Sequence, residues 1–146
     1  MILTSSGRET ILASFGSPPP GVRPRLRRAV YAVVTNQMGH VLAIQGPGGC
    51  FLPGGGIEAG ESEEDALHRE CQEEIGVDVV VTERLGKVRQ YFFAEEAWWK
   101  MDAIFFRSEL LGTPLGDDFV WLPLEQLDRK MFHECHSWAV TKLCAI

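Results

Sequence analysis

The chain has no run of about 18 or more apolar residues, so nothing in it reads as a membrane-spanning helix. Its N-terminus lacks a basic segment followed by an apolar core, and no secretory signal is expected. Cysteine is scarce: Cys50, Cys71, Cys135 and Cys144 form no Cys-x-x-Cys pair and fall far short of a secreted disulfide scaffold. Reduced thiols in a cytoplasm are the expectation that follows. Basic residues are outnumbered, 14 against 20 acidic, and the net charge of −6 excludes a protein that coats nucleic acid through an electropositive surface. What remains is a chain of 146 residues, 45% hydrophobic and 23% charged, which suits one domain with a proper core.

The acids are unevenly placed. Eight of the twenty lie between Glu58 and Glu74, with Arg69 the single fixed cation among them. The stretch from Gly55 to Val77, GGIEAGESEEDALHRECQEEIGV, reads as a glycine-rich turn, a helix start, a helix and a stop. Ser62 is the expected N-cap, with Asp65 three residues on as its reciprocal partner. Glu63, Glu64 and Asp65 fill the first turn, where the helix dipole favours anions. Gly76 supplies the left-handed residue that closes the helix. At about 100° per residue, Glu70, Glu73 and Glu74 share one flank, beside a core stripe of Leu67, Cys71 and Ile75. Three carboxylates so close together repel, and either a solvated acidic face or a bound divalent cation relieves the conflict. Hard oxygen donors suit magnesium or manganese.

The full spacing, Gly55, then Glu61, then Arg69-Glu70-Cys71-Gln72-Glu73-Glu74-Ile75-Gly76-Val77, resembles the Nudix box, the signature of Nudix hydrolases. Every fixed position of that pattern is filled, with Cys71 in an apolar slot. The resemblance implies an α/β fold, a Nudix-type α/β/α sandwich with a mixed, largely antiparallel sheet and the box helix packed on it. It divides the chain into an N-terminal arm, residues 1–24, and a Nudix hydrolase domain, residues 25–146. It also implies metal-dependent hydrolysis of a diphosphate linkage in a nucleoside diphosphate derivative, with Mg2+ or Mn2+ as cofactor. A (d)NTP, a dinucleoside polyphosphate, ADP-ribose or a nucleotide sugar would be the substrate.

Carried over by position, Glu70, Glu73 and Glu74 would bind the metal together with the main-chain oxygen of Gly55. Arg69 would orient the carboxylates, and Glu61 would brace the loop or hold a water on the metal. Glu70 or Glu73 is the first choice of general base. Asp117, Asp118, Glu95 and Glu96, each on a predicted turn, form the second. No nucleic-acid or membrane partner is implied; many relatives dimerise, and the Pro-rich arm is a candidate contact for a homodimer. Two rival readings stand beside the hydrolase. A Nudix-like binding or regulatory module commonly loses acidic box residues, and here the set is complete. An isomerase needs a catalytic Cys–Glu pair; Cys50 precedes the box but is expected only to line or border the pocket passively.

Outside the box the pattern is mostly β. Ser17-Pro18-Pro19-Pro20-Gly21 punctuates the arm, in which Gly7 to Phe15 is read as a short edge strand or a swapped arm. Arg8, Arg23, Arg25, Arg27 and Arg28 gather before Ala29; Arg25 and Arg27 share one strand face, either to solvate it or to meet substrate phosphates. Ala29–Val34 and Val41–Gln45 read as strands about an Asn36–Gly39 turn, Gly46–Gly49 as a flexible loop, and Gly54–Gly56 as a turn. Val77–Thr82, Leu85–Phe93 and Trp98–Phe106 follow as strands, the last two joined at Glu95-Glu96. Alternate members of Tyr91, Phe92, Phe93, Trp98 and Trp99 are expected in the core, with one or two free to stack on a base. Tyr91 is only roughly where dinucleoside polyphosphate hydrolases of the family carry a tyrosine.

After a loop from Gly112 to Asp118, Phe119–Leu122 reads as a strand and Pro123–Leu127 as the start of a short helix. The last helix is predicted from Glu134 to Ala145, with Trp138, Val140, Thr141 and Cys144 inward. His133, Cys135 and His136 lack zinc-ligand spacing, and the histidines are read as surface or capping residues.

Overall fold

Ala29-Val30-Tyr31-Ala32-Val33 does not alternate: all five side chains are buried, so their strand has to be covered on both faces. The computed structural model, which describes residues 9–144, shows how. The elements are β1 (Ile11–Phe15), β2 (Arg25–Val33), β3 (Val41–Gly46), β4 (Gly49–Phe51), β5 (Gly54–Gly56), α1 (Glu63–Ile75), β6 (Val79–Ala94), β7 (Ala97–Leu110) and β8 (Phe119–Leu122). A 3-10 turn (Leu124–Gln126), α2 (Leu127–Lys130), α3 (Glu134–Trp138) and a wider π-type turn (Ala139–Leu143) complete them. Five strands form a mixed sheet in the order β1-β6-β7-β2-β5, and a smaller antiparallel sheet runs β4-β3-β8.

In the larger sheet β2 lies parallel to β7 and antiparallel to β5, and β1 runs parallel to β6. The odd-numbered side chains of β2, Ala29, Tyr31 and Val33, pack with Leu127, Cys135, Ala139 and Val140. The even-numbered Val30 and Ala32 pack with Ala66, Leu67, Cys71 and Ile75 of α1. The sheet is thus sandwiched between α1 and the C-terminal helical segments, the α/β/α arrangement expected. Among the described residues no helix is long and apolar enough to cross a membrane.

α1 starts and stops where its ends dictate. Ser62 Oγ accepts from Asp65 N–H at 3.0 Å, and Gly76 adopts φ 67° while its N–H donates to Gln72 O. Five expectations need correction. The segment Gly54–Gly56 is a strand, because β2 offers an unpaired edge, against which only glycine fits at position 54. The loop at Gly46–Gly49 is a tight link, with Gly46 and Gly49 already paired. The two strands expected over 77–93 are one, β6, which bends through irregularities at Val81/Glu83 and Arg84/Gly86 rather than breaking. Thr141 is exposed, its hydroxyl bonded back to Ser137 O at 2.9 Å instead of reaching inward. None of Tyr91, Phe92, Phe93, Trp98 and Trp99 is fully buried, and of the five only Phe92 packs against the core.

Its two-residue turn, Glu95-Glu96, takes positive φ at both positions, 52° and 60°. Two further expectations concern chain ends. The edge strand read from Gly7 appears as β1, with Gly7 and Arg8 outside the described residues. The last helix is found from Glu134 through Leu143, with Ala145 likewise outside them.

Candidate active site

β5 comes so close to its neighbours because it has no side chains. A Cβ on Gly54 would fall 2.0 Å from the Val30 carbonyl oxygen. One on Gly55 would fall 2.7 Å from the carboxyl carbon of Glu70. Glycine at 55 therefore lets the Glu70 carboxylate press directly on main chain. Next to it, Gly54 N–H donates to Glu74 Oε1 at 2.9 Å. Two of the three box-helix carboxylates are in this way seated on one short strand.

Arg69 ties the approach loop to the helix. Its Nε and Nη2 donate to the two oxygens of Glu61 at 2.7 and 2.9 Å, a fork-to-fork pair. Nη2 also donates to Gly56 O at 3.0 Å, and Nη1 to Glu70 Oε1 at 3.1 Å and, more weakly, to Glu73 at 3.4 Å. Glu73 is 58% exposed, against 17% for Glu70. The hydrogen bonds from Arg69 hold Glu61 ionised, its pKa lowered to about 2. Glu74 behaves oppositely: burial, with the charges of Glu70 and Glu73 adding to it, pushes its pKa up to about 7 against the Gly54 bond. Burial raises Glu70 as well, opposed by Arg69.

The donors gathered here are all oxygen, the preference of a hard divalent cation. Glu74 is held by a single main-chain N–H and repelled by its neighbours, a state that a cation relieves. Among the described residues no three His, Cys, Asp or Glu side chains converge tightly enough to hold an ion unaided. An ion here thus takes its remaining ligands from main chain, water or substrate. Within those terms the residues fit one.

Gly54, Gly55 and Glu74 also form one end of a cleft of about 740 Å3, within the range of small-molecule sites. Its walls are aromatic: Phe51 stacks on Phe132 at 5.3 Å and 29°, with Phe92, Phe93 and Trp99 on the hairpin side. Arg27 spans the junction, its guanidinium carbon 3.4 Å from where a Cβ on Gly56 would sit. The companion Arg25 instead lies over the Trp99 ring at 5.7 Å. Of the four loop acids, Glu95 lines the cleft; Asp117, Asp118 and Glu96 are not among its lining residues. Cys50 is buried in the core, paired opposite Gln45, and does not line the cleft either. Tyr91 faces a separate surface hollow with Arg23 and Lys100.

The histidines expected on the surface or as caps lie inside the protein. His133 is 4% exposed and His136 fully buried, because the short helix α3 is pressed into the core rather than lying on the surface. His133 lines the cleft. Phe51 lies far from Phe132 and His133 in sequence and only the fold joins them; the signals legible for the cleft were the hairpin aromatics Phe92, Phe93 and Trp99 and the strand position of Arg27.

A family model described as the NUDIX domain matches residues 25–142. A low-salt glycan biosynthesis protein, Agl8, from Haloferax volcanii is 29% identical over 82 residues, 56% of this chain and 52% of that protein. The chain thus spans about half the length of that relative. An 8-oxo-dGTP diphosphatase from Haemophilus influenzae is 31% identical over 97 residues, 63% of this chain and 68% of that protein. The crystal structure of a MutT protein from Methanosarcina mazei superimposes with a TM-score of 0.65 over 82% of this chain and 93% of that one, at 22% identity, a likeness of fold.

Proposed function

The chain belongs to the NUDIX family, and on that footing we propose that it hydrolyses the diphosphate linkage of a nucleoside diphosphate derivative with the help of Mg2+ or Mn2+. The observation that carries this reading is the union of two unlike surfaces. Glu74, seated on Gly54, opens into an aromatic cleft, with Glu70 pressed on Gly55 beside it and Arg27 at the seam. Such a site offers cation ligands at one end and stacking faces for a nucleoside at the other.

Glu70, Glu74 and the main-chain oxygen of Gly55 would hold the cation, with Glu73 reaching in from the rim. Bound there, the cation offsets charge on the diphosphate and makes water more acidic. Arg27 takes a phosphate oxygen through charge-assisted hydrogen bonds. Arg69 fixes the Glu70 carboxylate, and ionised Glu61 fixes Arg69. Glu70 accepts the proton of the attacking water, since burial raises its affinity for one. The water oxygen bonds to one phosphorus, the bond from that phosphorus to the bridging oxygen breaks, and the other phosphate leaves with the electron pair. The aromatic walls receive the nucleoside.

Phosphate release from (d)NTPs, dinucleoside polyphosphates, ADP-ribose and nucleotide sugars tests the proposal, and the 8-oxo-dGTP diphosphatase relative puts oxidised and ordinary dNTPs first. Glu70→Gln should lose turnover at saturating Mn2+, whereas Glu74→Gln should regain part of it as Mn2+ rises. Failure to cleave any of these, with nucleotides still bound, would favour a binding module instead.

A further inference from the structure

The cleft contains an imidazole with nothing to bond. His133 is 4% exposed yet lines the cleft. Among the described residues neither of its ring nitrogens has a hydrogen-bond partner, and it makes no side-chain cap to α3, whose N-cap it is. Only His136 Nε2 is sealed away without a partner among the described residues; the unpaired nitrogens of His133 keep an opening to the cleft and are placed for a partner that arrives from outside.

Its neighbours do not fill the need. The rings of Phe51, Phe92 and Phe132 meet it edge-on, with centroids at 5.6, 4.6 and 4.8 Å. His136, 5.1 Å away, accepts Leu52 N–H on Nδ1 at 3.1 Å. That bond leaves the His136 proton on Nε2, which is itself buried without a partner. Burial, with the nearby Arg27 charge adding to it, keeps His133 uncharged, its pKa pushed down to about 4. An uncharged imidazole presents one donor and one acceptor. Phosphate prefers a cation, and Arg27, at the seam with the carboxylates, already supplies one. A flat heterocycle with donors and acceptors on its edge suits the imidazole better. His133 stands at 76° and 81° to the rings of Phe51 and Phe132, so it lies across that stacked pair instead of continuing the stack.

We infer that His133 is a specificity-determining residue, its imidazole hydrogen-bonding the edge of a nucleobase whose face lies on the Phe51 and Phe132 rings. The inference rests on the reading that this cleft receives a nucleoside, and adds which side chain tells one base from another.

The test has two arms, both on the full chain. In the first, metal-free 15N-labelled protein is titrated with the 5′-monophosphates of adenosine, guanosine, cytidine and uridine, and with ribose 5-phosphate as a base-free probe. The His133 ring nitrogens, assigned by their loss in His133→Asn, should shift with at least one nucleotide and stay in place with ribose 5-phosphate. In the second arm, kcat/KM is measured across the four bases. The spread between best and worst base should shrink about tenfold in His133→Phe, the worth of roughly one neutral hydrogen bond. His133→Asn, with a donor and an acceptor on a planar group, should recover part of it. Ring nitrogens unmoved by every nucleotide, or a spread between best and worst base as wide in His133→Phe as in the wild type, would overturn the inference. Shifts without any turnover would sink the hydrolase and support His133 as a base reader; turnover with unmoved nitrogens would sink His133 alone.

Discussion

Replacing Glu74 with glutamine should stabilise the metal-free protein at pH 8 and leave it nearly unchanged at pH 5. Glu74 has its pKa raised from an ordinary 4.5 to about 7, chiefly by burial. The folded state therefore favours the protonated acid. That contribution is fully present below about pH 4.5 and is lost as pH rises through about 7. At about 1.4 kcal/mol per pH unit, ionising the side chain in the fold costs on the order of 3 kcal/mol, and partial solvation trims this to roughly 2. Glutamine keeps an oxygen for Gly54 N–H and never ionises. The gain in Tm for Glu74→Gln should be near zero at pH 5 and about 4–8 °C at pH 8, at roughly 2–4 °C per kcal/mol.

Thermal melts in EDTA across pH 5 to 8.5 read this directly. The comparison must be between variant and wild type, because uncharged, buried His133 and His136 contribute with the opposite sign. Their pKa values lie below that of a free histidine, so they add stability as pH rises towards about 6.5. Saturating Mn2+ should then raise the wild-type Tm at pH 8 more than that of the variant. A difference between the two proteins that is flat with pH, or a variant less stable at pH 8, would refute the reasoning.

Gly55→Ala should lower kcat/KM by about 100-fold, since its methyl carbon would lie 2.7 Å from the Glu70 carboxyl and displace it by the order of an ångström; rates and a far-UV spectrum separate this from unfolding. Arg69→Lys cannot reproduce the forked pair with Glu61 and should lower turnover at least tenfold at saturating metal, as steady-state assays would reveal. Ser62→Ala removes the cap on Asp65 N–H and should cost about 1 kcal/mol, measurable as a shift in the urea midpoint with little change in the slope.

How far the sequence could be read depended on whether a feature was local. The caps of α1 could be, because Ser62 and Gly76 act through bonds to residues three or four positions away. The shared flank of Glu70, Glu73 and Glu74 follows from helical geometry alone, and the unbroken apolar run in β2 announces two covered faces. The difference in exposure between Glu70 and Glu73 could not be read, since it depends on where β5 lies. Glycine has little intrinsic preference for strands, and Gly54–Gly56 becomes one only because β2 is there to pair with it. The hairpin aromatics come in runs that fall on both faces of their strands, and no periodicity tells which of them a further layer covers. His133 and His136 sit in a polar stretch, and their burial comes wholly from contacts with residues as distant as Tyr31 and Leu52.

The left-handed turn at Glu95 and Glu96 sets stability against use. Asparagine and glycine adopt that geometry with far less strain, and a sequence optimised for thermal robustness alone would install them, gaining on the order of 1 kcal/mol. The same edit would delete a carboxylate from the mouth of the cleft, where Glu95 stands beside Phe93 and Trp99. A hardened version of this protein should therefore leave the hairpin tip as it is and seek its gains elsewhere. Position 96, which does not face the cleft, is the one half of the turn where glycine could be tried without touching it.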